Sequence, residues 1–377
     1  MIGCAKDDLP LAEKEPIIEE ETETPVDSWI CGIESINDDE RRKQLAITNE
    51  GDYLLVGNDR IIQVSKDGLL KLDLEGQFTE ERREEDKVLK KIYNNKIYSF
   101  SSSRPGDNFN PNQLVKLRIY NDTGGLEETI ELGTFGVLQD VEIEDENTYG
   151  LLMGGEPNSK LMILSKFNKT DGILNSIILN DTGSNPRNLH IGVDGQYLCT
   201  DNSSFNNLYY MDNDLNLLWK KNISDITIRD AVFIPGKGIC ITGSTNPIFV
   251  TNYIAMVSEE GEIINKMEFP VSDSISDLLF VHDVALSDNT IALSEVEPTH
   301  GTRLRLTFFN FDLERITSLD VTGNKFSSPL INNDNGSFSF LYNIKTDPNE
   351  ADPVTTTHPR VFKLNDTYAI PETYIMQ

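Results

Sequence analysis

The sequence predicts an all-β fold, a seven-bladed β-propeller of four-stranded antiparallel blades, and three observations carry that prediction. A phrase recurs along the chain: an apolar strand, a polar loop, a second apolar strand, then a turn of Asp, Asn or Gly. It reads GDYLLVGN…RIIQVSKDGLLKLDLEG from Gly51, DGQYLCTD…NLYYMDNDLNLLWKKN from Asp194 and GKGICITGS…NYIAMVSEEGEIINKMEF from Gly236. The residues that open the second strand of each repeat, Tyr53, Ile97, Tyr149, Tyr197, Ile239, Ile291 and Phe338, fall 44, 52, 48, 42, 52 and 47 residues apart. A strand-only repeat of roughly 40 to 50 residues cannot bury both faces of one unit, so closure into a ring must supply the core. Finally, the last repeat is one strand short, and a strand-like segment, Ser28 to Glu34, is left over at the other end of the chain.

The elements follow in order. Leu54-Leu55-Val56, Leu151-Leu152-Met153 and Ile239-Cys240-Ile241 are short apolar runs bounded by Gly or Asn, the pattern of buried strands. Hairpin turns are expected at Lys66-Asp67-Gly68, Thr123-Gly124-Gly125, Thr170-Asp171-Gly172, Asp212-Asn213-Asp214, Glu259-Glu260-Gly261 and Asn365-Asp366, where Gly and Asn accept positive φ cheaply. After Val361 to Leu364 only Tyr368-Ala369-Ile370 precedes Pro371, so the segment with Trp29 and Ile33 is expected to pair into the seventh blade and close the ring. An unpaired edge there would invite association. Residues 28–377 are therefore read as one propeller domain, and residues 1–27 as an acidic, disordered tether: from Asp7 to Asp27 nine acidic side chains face one Lys with no apolar period.

Composition narrows the function. A net charge of −29 opposes nucleic acid and bare anionic lipid, whose binding rests on Lys and Arg. No stretch of about 18 apolar residues offers a membrane span. Cys4, Cys31, Cys199 and Cys240 contain no CxxC pair and no His at zinc-ligand spacing. Cys199 and Cys240 lie in apolar strands of neighbouring repeats, either as buried thiols or as a disulfide.

The N-terminal Met-Ile-Gly-Cys-Ala-Lys-Asp-Asp resembles the end of a bacterial lipoprotein signal: Gly3 and Ile2 match the residues before the Cys that receives diacylglycerol. The basic and apolar regions of such a signal do not precede it, so the resemblance carries the expectation that the chain as written is trimmed or begins at a late start codon. Lys6-Asp7-Asp8 and Glu19-Glu20-Glu21 resemble the export tag of Bacteroidota surface lipoproteins. That resemblance implies acylation at Cys4, an outer-membrane, cell-surface location and a membrane contact through the lipid alone. The DGQYL strand and closing LLWKK resemble the delta-60 or quinoprotein-like propeller repeats of secreted bacterial proteins. A quinone cofactor is not implied, since the adjacent Cys pair of true quinoprotein dehydrogenases is missing.

Candidate site residues fall on the loops joining second to third strands, expected together on one face: Ser103 to Gln113, Glu156 to Lys160, Asn202 to Asn207, Ser244 to Asn252, Glu295 to Thr302 and Lys345 to His358. Arg104, Asn108, Phe109 and Asn112 set a stackable ring beside amide and guanidinium donors, which suits a sugar or a polar protein surface, or simply forms a solvated loop. Glu295, Glu297 and His300, and separately His358, are the acid–base types that chemistry would need there. Asp140, Asn188, Asp230 and Asp283 each begin the first strand of a blade and should ring the mouth of the central channel, either as oxygen ligands for Ca²⁺ or as acceptors for backbone N–H groups. Asp212-Asn213-Asp214 is a turn rather than a Ca²⁺ loop, and Trp219 is expected between blades or as a sugar platform. These residues point to a non-catalytic surface propeller that binds a glycan, a peptide or a partner outer-membrane protein. The alternatives are a glycoside hydrolase or lyase using loop-face carboxylates, and a structural subunit of an outer-membrane complex.

Overall fold

The computed structural model describes residues 29–32, 44–57, 59–78, 85–103, 113–135, 137–154, 162–180, 186–201, 206–223, 226–245, 251–270, 280–287, 289–296, 303–322, 325–326, 330–333, 336–345, 357–364, 367–368 and 374–376. They form seven antiparallel blades and, among the described residues, no helix. After β1 (Trp29–Gly32), blade one is β2 (Gln44–Ile47), β3 (Tyr53–Val56), β4 (Arg60–Val64) and β5 (Leu70–Glu75). Blade two is β6 (Glu85–Tyr93), β7 (Lys96–Ser103), β8 (Gln113–Asn121) and β9 (Leu126–Phe135), and blade three β10 (Val137–Ile143), β11 (Thr148–Gly154), β12 (Met162–Asn168) and β13 (Gly172–Asn180). Blade four is β14 (Pro186–Ile191), β15 (Tyr197–Asp201), β16 (Asn207–Met211) and β17 (Leu217–Asn222). Blade five is β18 (Ile226–Ile234), β19 (Gly238–Thr245), β20 (Thr251–Val257) and β21 (Ile263–Pro270), and blade six β22 (Phe280–Leu286), β23 (Thr290–Val296), β24 (Arg303–Asn310) and β25 (Arg315–Thr322).

Blade seven departs from four strands. Its first strand is split into β26 (Lys325–Phe326) and β27 (Ile331–Asn332), both paired to β28 (Phe338–Lys345), which pairs with β29 (Thr357–Lys363). β1 then pairs antiparallel to β29, Cys31 opposite Val361, as the ring-closing strand that the sequence predicted. A strand that was not predicted follows: β30 (Tyr374–Met376) lies parallel to β1 and becomes the outer edge. Tyr368 also does not extend the blade. It turns back at φ 58° and stacks on Phe308 of blade six, centroids 4.3 Å apart, with a hydroxyl contact to Thr290.

The burial pattern explains why these residues form blades. Every described residue of β3, β11 and β15 is buried, because second strands are covered on both faces by neighbouring blades. β5 alternates between half-buried and exposed, as an outer strand with one wet face should. All seven residues that mark the second strands are at most 2 % exposed. The apolar core divides into seven clusters, each straddling one junction between consecutive blades, and the junction of blades seven and one includes Cys31 and Val361 beside Leu45 and Tyr53. At about 1.5 to 3 kcal/mol per fully buried large side chain, these junctions hold the ring together. Tyr53 completes the circle by donating its hydroxyl to Asn333 Oδ1 of blade seven at 2.9 Å.

Turns between third and fourth strands share one device. Ser65, Asn121, Asp212, Ser258 and Asn310 each accept, through the side chain, the N–H groups two and four residues ahead. The residue three ahead takes positive φ: Gly68, Gly124 and Gly261, but Leu215 and Leu313 in blades four and six. Asp212 is thus the opening residue of a turn, as its sequence suggested. Cys199 and Cys240 are free and buried, so they do not form the disulfide, and Cys31 is buried as well; burial pushes all three thiols up, Cys31 to about 11.

Candidate functional site

The first strands adjoin around the axis, β6 beside β10, β10 beside β14, β14 beside β18 and β18 beside β22. Each carries a register shift at the same point, between Glu85 and Lys87, Leu138 and Asp140, Pro186 and Leu189, Ile228 and Asp230, and Val281 and Asp283. A β-bulge re-aims the next side chain. Asp140, Asn188, Asp230 and Asp283 therefore sit inside their strands at the bulge, not at strand starts as expected from sequence.

What the bulge achieves is a tie to the next blade. Asp140 Oδ1 accepts the N–H of Val141 at 2.9 Å, while its Oδ2 accepts the N–H of Leu189 in blade four at 2.9 Å. Asp283 repeats the arrangement with Val284 at 3.0 Å and Leu330 of blade seven at 3.0 Å. Asn188 donates Nδ2 to the Arg229 carbonyl and to Asp230 Oδ1 in blade five, at 2.9 and 2.8 Å. Asp230 Oδ1 also receives His190 Nε2 at 3.0 Å and the N–H of Ala231 at 2.9 Å.

Three further charges join this ring, and sequence reasoning missed them. Lys91 Nζ lies 2.6 Å from Glu142 Oε1 and 3.8 Å from Asp140 Oδ1, and His190 faces Asp230. Their signal was strand alternation: Glu142 follows Asp140 by two residues and His190 follows Asn188 by two, so each shares its partner's face. Burial disfavours the His190 imidazolium, but the hydrogen bond and charge of Asp230, with Glu142 and Asp140 beyond, hold it up at about 9. Burial alone would raise Asp230 too, yet His190 and the bond to Asp283 bring it below the usual carboxylate range. Asp283 takes the opposite course: burial, the Asp230 charge and their shared hydrogen bond push it up to about 8, so the pair carries one proton at neutral pH. Burial opposes charge on Lys91 as well, and Glu142 and Asp140 outweigh it.

The carboxylate oxygens of Asp140, Asp230 and Asp283 are thus engaged by backbone N–H groups, Asn188, His190 and Lys91. Among the described residues no three His, Cys, Asp or Glu side chains gather in metal-binding geometry.

The loop-face candidates divide differently. Glu295 is not on a loop: it belongs to β23 and is 1 % exposed. Its Oε1 accepts Asn252 Nδ2 at 2.8 Å and its Oε2 accepts the Thr307 hydroxyl, while Asn252 Oδ1 accepts the N–H of Val281 at 3.3 Å. Burial raises this carboxyl, with Thr307, Arg305 and Asn252 opposing, and the group joins blades five and six. His358 lies within β29, and its side chain is outside the described residues, as are Arg104, Asn108, Phe109, Asn112, Glu297, His300 and Cys4. Trp219 bridges blades four and five as expected: its ring centroid is 5.2 Å from that of Tyr210 and Nε1 donates to the Glu259 carbonyl at 2.6 Å.

No protein-family model matches this chain, and no curated protein matches it in sequence. Solved structures do match its shape. A chain of the "Mitotic Checkpoint Complex" crystal structure superposes with a TM-score of 0.57 at 11 % identity, covering 97 % of this chain and 99 % of that one. A catalytically inactive "virginiamycin B lyase from Staphylococcus aureus with Quinupristin" superposes with a TM-score of 0.53 at 11 % identity, covering 89 % of this chain and 99 % of the other. At that identity the likeness is one of fold: the chain is built as a seven-bladed β-propeller.

Proposed function

We propose that this chain is a non-catalytic binding propeller, held at the outer cell surface by lipid on Cys4, that takes a glycan, a peptide or a partner outer-membrane protein through its loop face. One observation carries the reading: among the described residues Asp140, Asn188 and Asp283 are engaged in tying the first strands of blades three, four and six to the blade that follows. Groups so fixed make a rigid platform rather than a set of free acids and bases, and loops on a rigid platform are where recognition collects. Arg104, Asn108, Phe109, Asn112, Glu297 and His300, which lie outside the described residues, are the loop residues this reading assigns to recognition.

The test pairs a glycan array with a pull-down from outer membranes and a mass measurement of the N-terminus in the native host. Saturable binding lost on loop-face substitution, with a diacylated Cys4, is the expected result. A flat array together with an empty pull-down overturns the reading.

A second reading, a glycoside hydrolase or lyase, is favoured by one feature, the Asp230–Asp283 pair sharing a proton beside His190. Paired carboxyls driven to different protonation states are a known way to assign acid and base. Release of reducing or unsaturated ends from polysaccharide, abolished by Asp230→Asn and unaffected by Glu297→Gln, would establish it.

A further inference from the structure

Among the described residues two buried side-chain polar atoms have no hydrogen-bond partner, Arg229 Nε and Ser244 Oγ, and both belong to blade five. Buried polar atoms are nearly always paired, so two orphans in one blade require an explanation. Ser244 is 0 % exposed.

The pairing of β18 with β19 brings the two together. Ile228 faces Gly243 and Asp230 faces Thr242, which leaves Arg229 as the extra residue of the bulge, while Ser244 lies one step further along β19, opposite Thr227. Blade three has the same bulge, with Gln139 at the place of Arg229 and Gly154 at the place of Ser244. There a Cβ added to Gly154 would stand 3.1 Å from Gln139 Nε2 and 3.3 Å from its Cγ, so side chains at these two positions adjoin.

The charge of Arg229 also lacks a counterweight. Burial, and then the positive charge of Arg187, push its guanidinium down, and no carboxylate among the described residues holds it up, although the chain carries a net charge of −29. Arg187 comes close because the next residue, Asn188, donates Nδ2 to the Arg229 carbonyl at 2.9 Å. Asp230 follows Arg229 in sequence but is turned to Asn188 and His190. A cation half out of water and unpaired costs stability until an anion meets it. Arg187 is exposed and Arg229 half-buried, so the pair is reached from solvent.

We infer that Arg229 and Ser244, with Arg187 beside them, form a receptor for one carboxylate group of a ligand. Nε and the adjacent Nη of Arg229 donate in parallel to the two carboxylate oxygens, a fork that matches a planar acid, and the Ser244 hydroxyl donates to one of them. Arg187 adds charge. A single guanidinium in contact suits one negative charge better than the near-double charge of a phosphate. The receptor lies on the strands of blades four and five and stands without the loop-face reading, so either can fail without the other.

The experiment titrates the full chain by calorimetry at low ionic strength with sodium glucuronate, sodium acetate, glucose and sodium sulfate. Glucuronate is expected to bind about tenfold or more tightly than glucose and sulfate. Binding of acetate as well shows that the bare carboxylate suffices, and binding of glucuronate alone assigns the group to a sugar acid; both support the receptor. Affinity should fall about tenfold in Arg229→Lys, which keeps the charge but not the fork, and in Arg229→Gln, which has the side chain blade three carries at this place. Should the Arg229 variants melt early, Ser244→Ala deletes only the hydroxyl and should weaken binding roughly threefold. Sulfate or glucose binding as tightly as glucuronate, binding by none of the four, or an affinity unchanged by Arg229→Gln and Ser244→Ala overturns the proposal.

Discussion

His190 Nε2 of blade four lies 3.0 Å from Asp230 Oδ1 of blade five, and this contact links ring geometry to pH. The imidazole is raised from 6.5 to about 9 in the folded ring, so the stability it contributes is complete below about 6.5 and lost as pH rises through about 9. Asp283, raised from 3.8 to about 8, acts with the same sign over a lower window: its neutral form suits the folded state, and folding weakens as pH climbs from about 4 to about 8. Melting temperature should therefore fall between pH 6.5 and 9, by an amount equivalent to on the order of 2 kcal/mol for His190. In His190→Gln the loss above pH 6.5 should shrink, and in Asp283→Asn the loss below pH 8 should shrink. Thermal melts of the three proteins across pH 4 to 9 check this, and parallel curves for parent and variants would contradict it.

The bulge carboxylates give a second prediction. Asp140→Ala removes the acceptor for the N–H of buried Leu189 and leaves Lys91 with Glu142 alone, which should cost about 1 to 3 kcal/mol. Asp140→Asn keeps one acceptor oxygen and should cost less. Because the oxygens are already engaged, adding Ca²⁺ or a chelator should leave the melting temperature of the parent unchanged. A calcium-dependent rise would restore the channel as a cation site.

A third prediction concerns Leu313, which holds φ 63° at a turn where three other blades use Gly, and is 2 % exposed. Its side chain fills the core between blades five and six, and that burial offsets a left-handed strain of about 1 to 2 kcal/mol. Leu313→Ala loses the burial and keeps the strain. Leu313→Gly loses the burial and relieves the strain, so denaturant melts should rank the parent first, Leu313→Gly second and Leu313→Ala last.

These devices also show what the sequence could disclose. The second strands were legible at Tyr53, Ile97, Tyr149, Tyr197, Ile239, Ile291 and Phe338 because a strand covered on both faces is apolar throughout and its turns need Gly or Asn. The channel network was only half legible. Asp140 and Asp230 stood out by repetition, but Lys91 and His190 meet them across blade junctions about 40 to 50 residues away, contacts that only the closed ring creates. Glu295 looked like a loop acid since nothing local announces that Asn252 and Thr307 will surround it. The strand at Tyr374–Met376 is three residues long, too short for alternation to register, and it exists only because β1 offers an edge.

Ring closure supplies the last prediction. β1 contributes four residues to blade seven, buries Cys31 against the junction with blade one, and carries β30 on its outer side. A chain beginning at Ser35 lacks β1, deprives β30 of the strand it pairs with and leaves β29 as an open edge, whose unpaired N–H and C=O groups are a template for association. A chain beginning at Asp27 keeps both strands. The shorter chain should elute as aggregates and lose its single cooperative melt, while the longer one should match the parent. Tyr53→Phe isolates the other half of the closure: it deletes only the hydroxyl that reaches Asn333 and should cost about 1 kcal/mol without altering elution. If the chain from Ser35 melts and elutes like the parent, the tyrosine and the apolar junction close the ring unaided, and β1 is dispensable.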